Sequence, residues 1–241
     1  MATVGLRVSI FTLVPLLLAG AVILVDRSIS SRERRLETVL ICLFAIGVAG
    51  AGIASFLAHF FLADIVAESI GWEAGSPFQL EVAFANLALG MLGIVATGRR
   101  DGFREATVLA ATIFAFGATL VHILDIVATG NLAPGNTLQN VANLVRPALL
   151  IGFLAASRRA EALPHPEAGT AGFDRWRMPL VKAAAPVTIS IATGYGVGFA
   201  MGQPLLATLI GILVGAAILA VVLIRSPWHG RQRGRDASGA V

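Results

Sequence analysis

The chain has 241 residues, 56% of them hydrophobic and only 13% charged, with a mean hydropathy of +0.82. A soluble domain carries about 25% charged and about 45–50% apolar residues, so this composition excludes a water-soluble globule and calls for a bilayer. The net charge of +4 does not point to nucleic acid, because the basic residues flank apolar runs, where positive-inside topology accounts for them.

In chain order seven apolar segments appear, each near the ~20 residues that cross a bilayer core. They run from Val8 to Val25, Thr38 to Ala67, Pro77 to Thr97, Glu105 to Ala128, Thr137 to Ser157, Ala183 to Gly202 and Pro204 to Ile224. Arginines and the one lysine cluster after the first, third, fifth and seventh, and the alternate connections hold none. The expected fold is therefore an all-α polytopic transmembrane helix bundle of about seven spans, multi-pass in the inner membrane, with the N-terminus outside and the C-terminus cytoplasmic. Trp72, Trp176 and Trp228 fall in connections beside span ends, as an aromatic belt would place them. Ala19-Gly20-Ala21 is a passable signal cleavage site, but four arginines follow the first segment and only Arg7 precedes it, which favours an uncleaved span.

This divides the chain into a first span with a basic turn (1–35), a four-span core (36–157), a linker (158–182), a hairpin (183–225) and a basic disordered tail (226–241). The linker carries Pro164, Pro166, Gly169 and Gly172. A lone cysteine, Cys42, excludes a disulfide within one chain and makes a cysteine-based metal site a poor expectation.

The most informative stretch is Ile70 to Asn86. Ser76 reads as an N-cap, Pro77 as the first helical residue and Gln79 as the reciprocal acceptor of a capping box. The helix so begun carries Glu81 and Asn86 into an apolar span, where polar groups are costly and usually kept for a purpose. The outer connections and outer span halves also hold Asp64, Glu68, Glu73, His59, His122, Asp125, Asn140, Asn143 and Arg146. His122 and Asp125, three apart, share a helix face. Arg146 is the basic residue embedded well inside a span, and an unpaired guanidinium there predicts a carboxylate partner, Glu81 or Asp125.

Three chemistries suit this set. His59, Glu81, His122 and Asp125 would form an N/O ligand set for a divalent metal ion, although no Glu-x-x-His pair is present and Arg146 opposes a cation. A proton-coupled or anion-selecting pathway would use the histidines and carboxylates as relays and Arg146 as the anion contact. A structural ion pair would only fix helix register. The ligand-binding set is thus His59, Glu81, Asn86, His122, Asp125, Asn143 and Arg146. The apolar, Gly/Ala-rich inner halves of the spans count against an open channel.

Thr193-Gly194-Tyr195-Gly196 looks superficially like a potassium filter, but no pore helix precedes it. Gly194, Gly198 and Gly202 recur every four residues, and Gly211 with Gly215 gives the next span a small-residue stripe, so close helix pairing explains them. Asn86, Gly90, Gly93 and Thr97 on one segment, and Ala51, Ser55 and His59 on another, read the same way. No phosphate loop, nucleophile elbow, His-Glu-x-x-His or dinucleotide fingerprint is present.

With His59 upstream, Trp72, Gly75-Ser76-Pro77-Phe78-Gln79, Glu81-Val82 and Phe84-Ala85-Asn86-Leu87 resemble a bacterial family of integral membrane proteins known only as a domain of unknown function. The resemblance covers roughly Leu36 to Ser157 and implies a polytopic bundle, with no activity or cofactor attached. The expected function is binding or transport of a small ligand or ion through an outward polar pocket, with the lipid bilayer as surroundings and no nucleic acid as partner. The alternatives are a membrane-embedded metal-dependent enzyme or redox protein, and a structural subunit of a membrane complex.

Overall fold

A computed structural model describes residues 2–162, 170–202 and 204–224, and every regular element among them is helical. Helix α1 (Ala2–Val25) is followed by α2 (Arg32–Cys42), capped by Ser31, whose Oγ accepts from Arg34 N at 3.3 Å. Without a break the chain passes through a π-helical segment, Leu43–Gly50, into α3 (Ala51–Phe61). All eight π residues are buried, making this rod the axis of the bundle, with α1, α5, α7 and α8 packed on it.

Helix α5 (Phe78–Gly98) approaches the rod through its glycines. A Cβ on Gly93 would lie 2.7 Å from Ala49 N, and one on Gly52 would lie 2.7 Å from Asn86 O. Such backbone proximity is how apolar helices gain packing energy where no hydrophobic effect drives them together. Helix α6 (Gly102–Thr129) starts at Asp101, which accepts from Phe103 N at 3.1 Å. The Arg99 guanidinium bonded to Asp101 holds that carboxyl below the ordinary range. Helix α7 (Pro134–Glu161) packs on α6, and α8 (Thr170–Ala200) pairs with α9 (Pro204–Ile224). In that pair a Cβ on Gly194 would sit 2.6 Å from Ala207 O, and one on Gly211 would sit 2.5 Å from Ser190 O.

Six helices among the described residues are long and apolar enough to cross a membrane, in keeping with an all-α polytopic bundle, and α9 has 21 residues. Several finer expectations need correcting. The second segment does not continue to Ala67, because Leu62 leaves the helical region (φ −130°, ψ 35°) and α4 (Ala63–Ile70) is a separate short helix. Gly71, at φ 80°, ends α4 while Trp72 N donates to Ala67 O at 3.0 Å. No capping box forms at Ser76: Pro77 occupies the cap position without a side-chain bond, and Gln79 N and Leu80 N donate to Ser76 O and Pro77 O in a tight turn. Of the expected linker over 158–182, the parts flanking residues 163–169 are helical. The basic tail, Trp228 and the Trp176 side chain lie outside the described residues.

The basic residues read as topology determinants also build a buried cluster. Glu37, 0% exposed, takes Arg104 in a two-pronged pair at 2.7 and 2.9 Å and Arg177 Nε at 2.6 Å, with Arg100 Nε at 3.9 Å. Arg104, 2% exposed, also donates to Ala96 O at 3.0 Å and stacks over the Phe44 ring. Helices α2, α6 and α8 are therefore tied together where each begins.

Candidate functional site

At the other end of the bundle a cavity of about 550 Å³ opens between α3, α5, α6 and α7, with α1 and Tyr195 of α8 closing its far side. This lies in the ~300–1,000 Å³ range of small-molecule sites. The cavity exists because α5 packs on the central rod while α6 packs on α7, so the two helices that are neighbours in sequence diverge.

Helix α7 supplies one polar wall. Gln139, Asn143 and Arg146 follow at i, i+4 and i+7, one face of a helix, and all three line the cavity. Gln139 Nε2 donates to Asn143 Oδ1 at 2.9 Å, while Gln139 Oε1 accepts from Arg7 of α1. Arg146 donates through Nε to Ala142 O at 3.3 Å and through Nη1 to Gly47 O at 3.4 Å. Gly47 lies in the π segment, where the wider helical turn disturbs the regular i→i−4 pairing of carbonyls. Nη2 of Arg146 has no hydrogen-bond partner among the described residues, and no carboxylate pairs with Arg146 or Arg7 there.

The opposite wall comes from the rod and α5. His59 Nδ1 lies 3.4 Å from Gln79 Oε1, and Ser55 and Asn86 also face the cavity. Asn86 Nδ2 donates to Val82 O of its own helix at 2.8 Å. From α6 the lining is apolar, including Ile113, Phe114 and Val121, until His122 near the mouth.

The mouth is held by a compact network. Trp72 stacks on His122 with ring centroids 5.2 Å apart and donates through Nε1 to Asp125 Oδ2 at 3.0 Å. Asn131 and Asn136 donate to the same oxygen at 2.9 and 2.8 Å. Asn136 Nδ2 also donates to Asn131 O at 2.8 Å, leaving its Oδ1 to accept from His122 Nδ1 at 2.7 Å. Trp72 is thus a fixed part of the mouth.

Of the seven expected site residues, His59, Asn86, His122, Asn143 and Arg146 line the cavity. Glu81 does not; it is exposed on the first turn of α5. Asp125 is turned away into the mouth network. The four residues expected as metal ligands are therefore not assembled in one place, and no group of three or more His, Cys, Asp or Glu is placed to hold a metal ion among the described residues. The expected pairing of Arg146 with Glu81 or Asp125 is not made. Arg7 and Gln139 were not among the expected residues. The i, i+4, i+7 spacing with Asn143 and Arg146 would have revealed Gln139, and Arg7 is the other cation outside the four basic connections.

The chain belongs to the family described as "Family of unknown function (DUF6790)", whose model matches residues 7–163. The match takes in α1, which the sequence resemblance left out, and stops before α8. No curated protein and no solved structure matches.

Proposed function

We propose that this integral membrane protein of unknown-function family binds a small ligand in the cavity beneath Trp72, and that the cavity opens to the outer face of a bacterial inner membrane. The supporting observation is Arg146. A half-buried intramembrane guanidinium without a carboxylate is costly, and here it lines the cavity, held by two backbone carbonyls through Nε and Nη1. A purely structural cation would be expected to be paired, as Arg104 and Arg177 are on Glu37. The outward direction is supported by the arrangement of Arg99, Arg100, Arg104 and Arg158 at the opposite end, which the positive-inside rule makes cytoplasmic.

The test is the reactivity of Ser55→Cys in a Cys42→Ala background toward membrane-impermeant methanethiosulfonates. Reaction from the outer face, faster with an anionic than a cationic reagent, is expected. A folded protein that reacts from neither face would overturn the ligand-binding reading, and reaction from the cytoplasmic face alone would overturn the sidedness. Ala74→Cys and Ala162→Cys serve as the outer and inner reference positions.

A further inference from the structure

Resting on that reading of the cavity, we infer that its ligand is an amphipathic anion, an oxyanion headgroup on a single alkyl chain, which enters sideways between α5 and α6. The headgroup meets Arg146 and Arg7, and the chain lies along the apolar face of α6.

Charge comes first. Of the eighteen Lys and Arg, sixteen sit in or beside the four basic connections; the two others are Arg7 and Arg146. Both line this cavity, on different helices 139 positions apart in sequence. Like charges in one low-dielectric space repel, and an anion between them relieves the repulsion. The one carboxylate on the lining is Glu73, exposed in the turn at the rim. His59 and His122 add no negative charge. Two bonds to carbonyls hold Arg146 in position with Nη2 left over, and a guanidinium so held presents fixed donors suited to an oxyanion.

The zoning of the walls then calls for a chain on that anion. Most polar groups come from α1, α3, α5 and α7, while α6 gives Ile113, Phe114, Gly117 and Val121 below His122. Ile113, Gly117 and Val121 follow every four residues over about 12 Å of helix. They both line the cavity and are exposed on the bundle surface, Ile113 at 64% and Val121 at 53%. A Cβ on Gly117 would meet nothing within 4 Å. The cavity is therefore open along a seam that faces acyl chains in a bilayer, and a water-soluble ion would have no use for that seam.

The experiment uses the full chain in nanodiscs of zwitterionic lipid, with Trp176→Phe and Trp228→Phe so that Trp72 alone reports. The probe is 12-bromododecanoate, whose bromine quenches tryptophan. Saturable quenching is expected, weakened at least tenfold by Arg146→Gln, with Arg7→Gln carrying the same expectation should the first variant fail to fold. Gly117→Phe is expected to slow entry at least tenfold. Competition by dodecanol as strong as by dodecanoate would overturn the anion. Competition by acetate or inorganic phosphate at equal strength would overturn the chain, marking a free-anion site instead. Quenching that is linear and alike in all variants would overturn both, as mere partition into lipid. Unchanged entry in Gly117→Phe would overturn the lateral route. If Ser55→Cys still reacts from outside while no dodecanoate binds, ligand binding in the cavity stands and this inference alone falls.

Discussion

Nη1 of Arg146 donates to the carbonyl of Gly47, 3.4 Å away and 99 residues earlier in the chain. The acceptor belongs to the π segment Leu43–Gly50, all eight residues of which are buried. Two irregularities therefore answer each other. A π turn disturbs the carbonyl ladder of the central rod, and an intramembrane arginine needs acceptors that water cannot provide. Neither would be comfortable alone, and together they fix a cation on the cavity wall.

Because Arg146 is held by carbonyls, it should be energetically independent of the carboxylates once expected to pair with it. Arg146→Leu combined with Glu81→Gln, or with Asp125→Asn, should give stability losses that add within about 0.5 kcal/mol. Unfolding of single and double variants in mixed micelles measures this. A coupling above about 1 kcal/mol in either pair would mean that a salt bridge forms after all.

Glu37 should behave in the opposite way. It pairs with both Arg104 and Arg177, which are almost fully buried. Glu37→Gln removes the carboxylate that both buried guanidinium groups share, and breaking a buried pair typically costs about 3–5 kcal/mol. Replacing Glu37, Arg104 and Arg177 together by Met should recover most of that loss, since a buried charge group is often matched by apolar side chains of similar volume. The denaturation midpoints of the two variants decide it: a triple variant less stable than Glu37→Gln would show that the charges themselves stabilise the bundle.

Which of these features could be read from the sequence follows from how local each one is. The helices, the glycine contacts of α5 with the rod and of α8 with α9, and the gathering of His59, Asn86, Asn143 and Arg146 near one end were legible, since spacing and hydropathy act along a single helix. Partnership across helices was not. Glu37 stands among Arg32, Arg34 and Arg35 and reads as part of a solvated turn, yet its partners lie 67 and 140 residues away. Asp125 counts in sequence as a carboxylate beside His122, whereas its oxygen gathers donors from Trp72, Asn131 and Asn136. The π segment has no sequence signal at all, its residues Leu43 to Gly50 being ordinary apolar and small ones.

Asn136 should be the residue on which the mouth depends. It is 0% exposed and joins His122, Asp125 and the Asn131 carbonyl. Asn136→Ala strands three polar partners, at about 1–3 kcal/mol for each that finds no water. The loss should be local: hydrogen exchange at Gly71 to Ser76 should rise well before that of α2 or α5. Uniform deprotection of the whole bundle would instead make Asn136 part of the global core.

The glycines offer the sharpest contrast, because the same substitution should act oppositely at two places. At Gly93 a new methyl group would lie 2.7 Å from Ala49 N and 3.0 Å from Ala49 Cα, both backbone atoms of the buried rod. Backbone cannot swing aside as a side-chain tip can, so α5 must move outward as a body, losing contacts along its length. Overpacking of this kind typically costs about 1–3 kcal/mol. At Gly117 nothing lies within 4 Å, and alanine should be neutral or stabilising by up to ~1 kcal/mol through helix propensity. Because α5 also forms a cavity wall, Gly93→Ala should alter the reactivity of Ser55→Cys. Thermal unfolding of the two variants, with the labelling rate of Gly93→Ala, tests this, and equal stability at the two glycines would show that α5 does not rest on the rod by backbone contact.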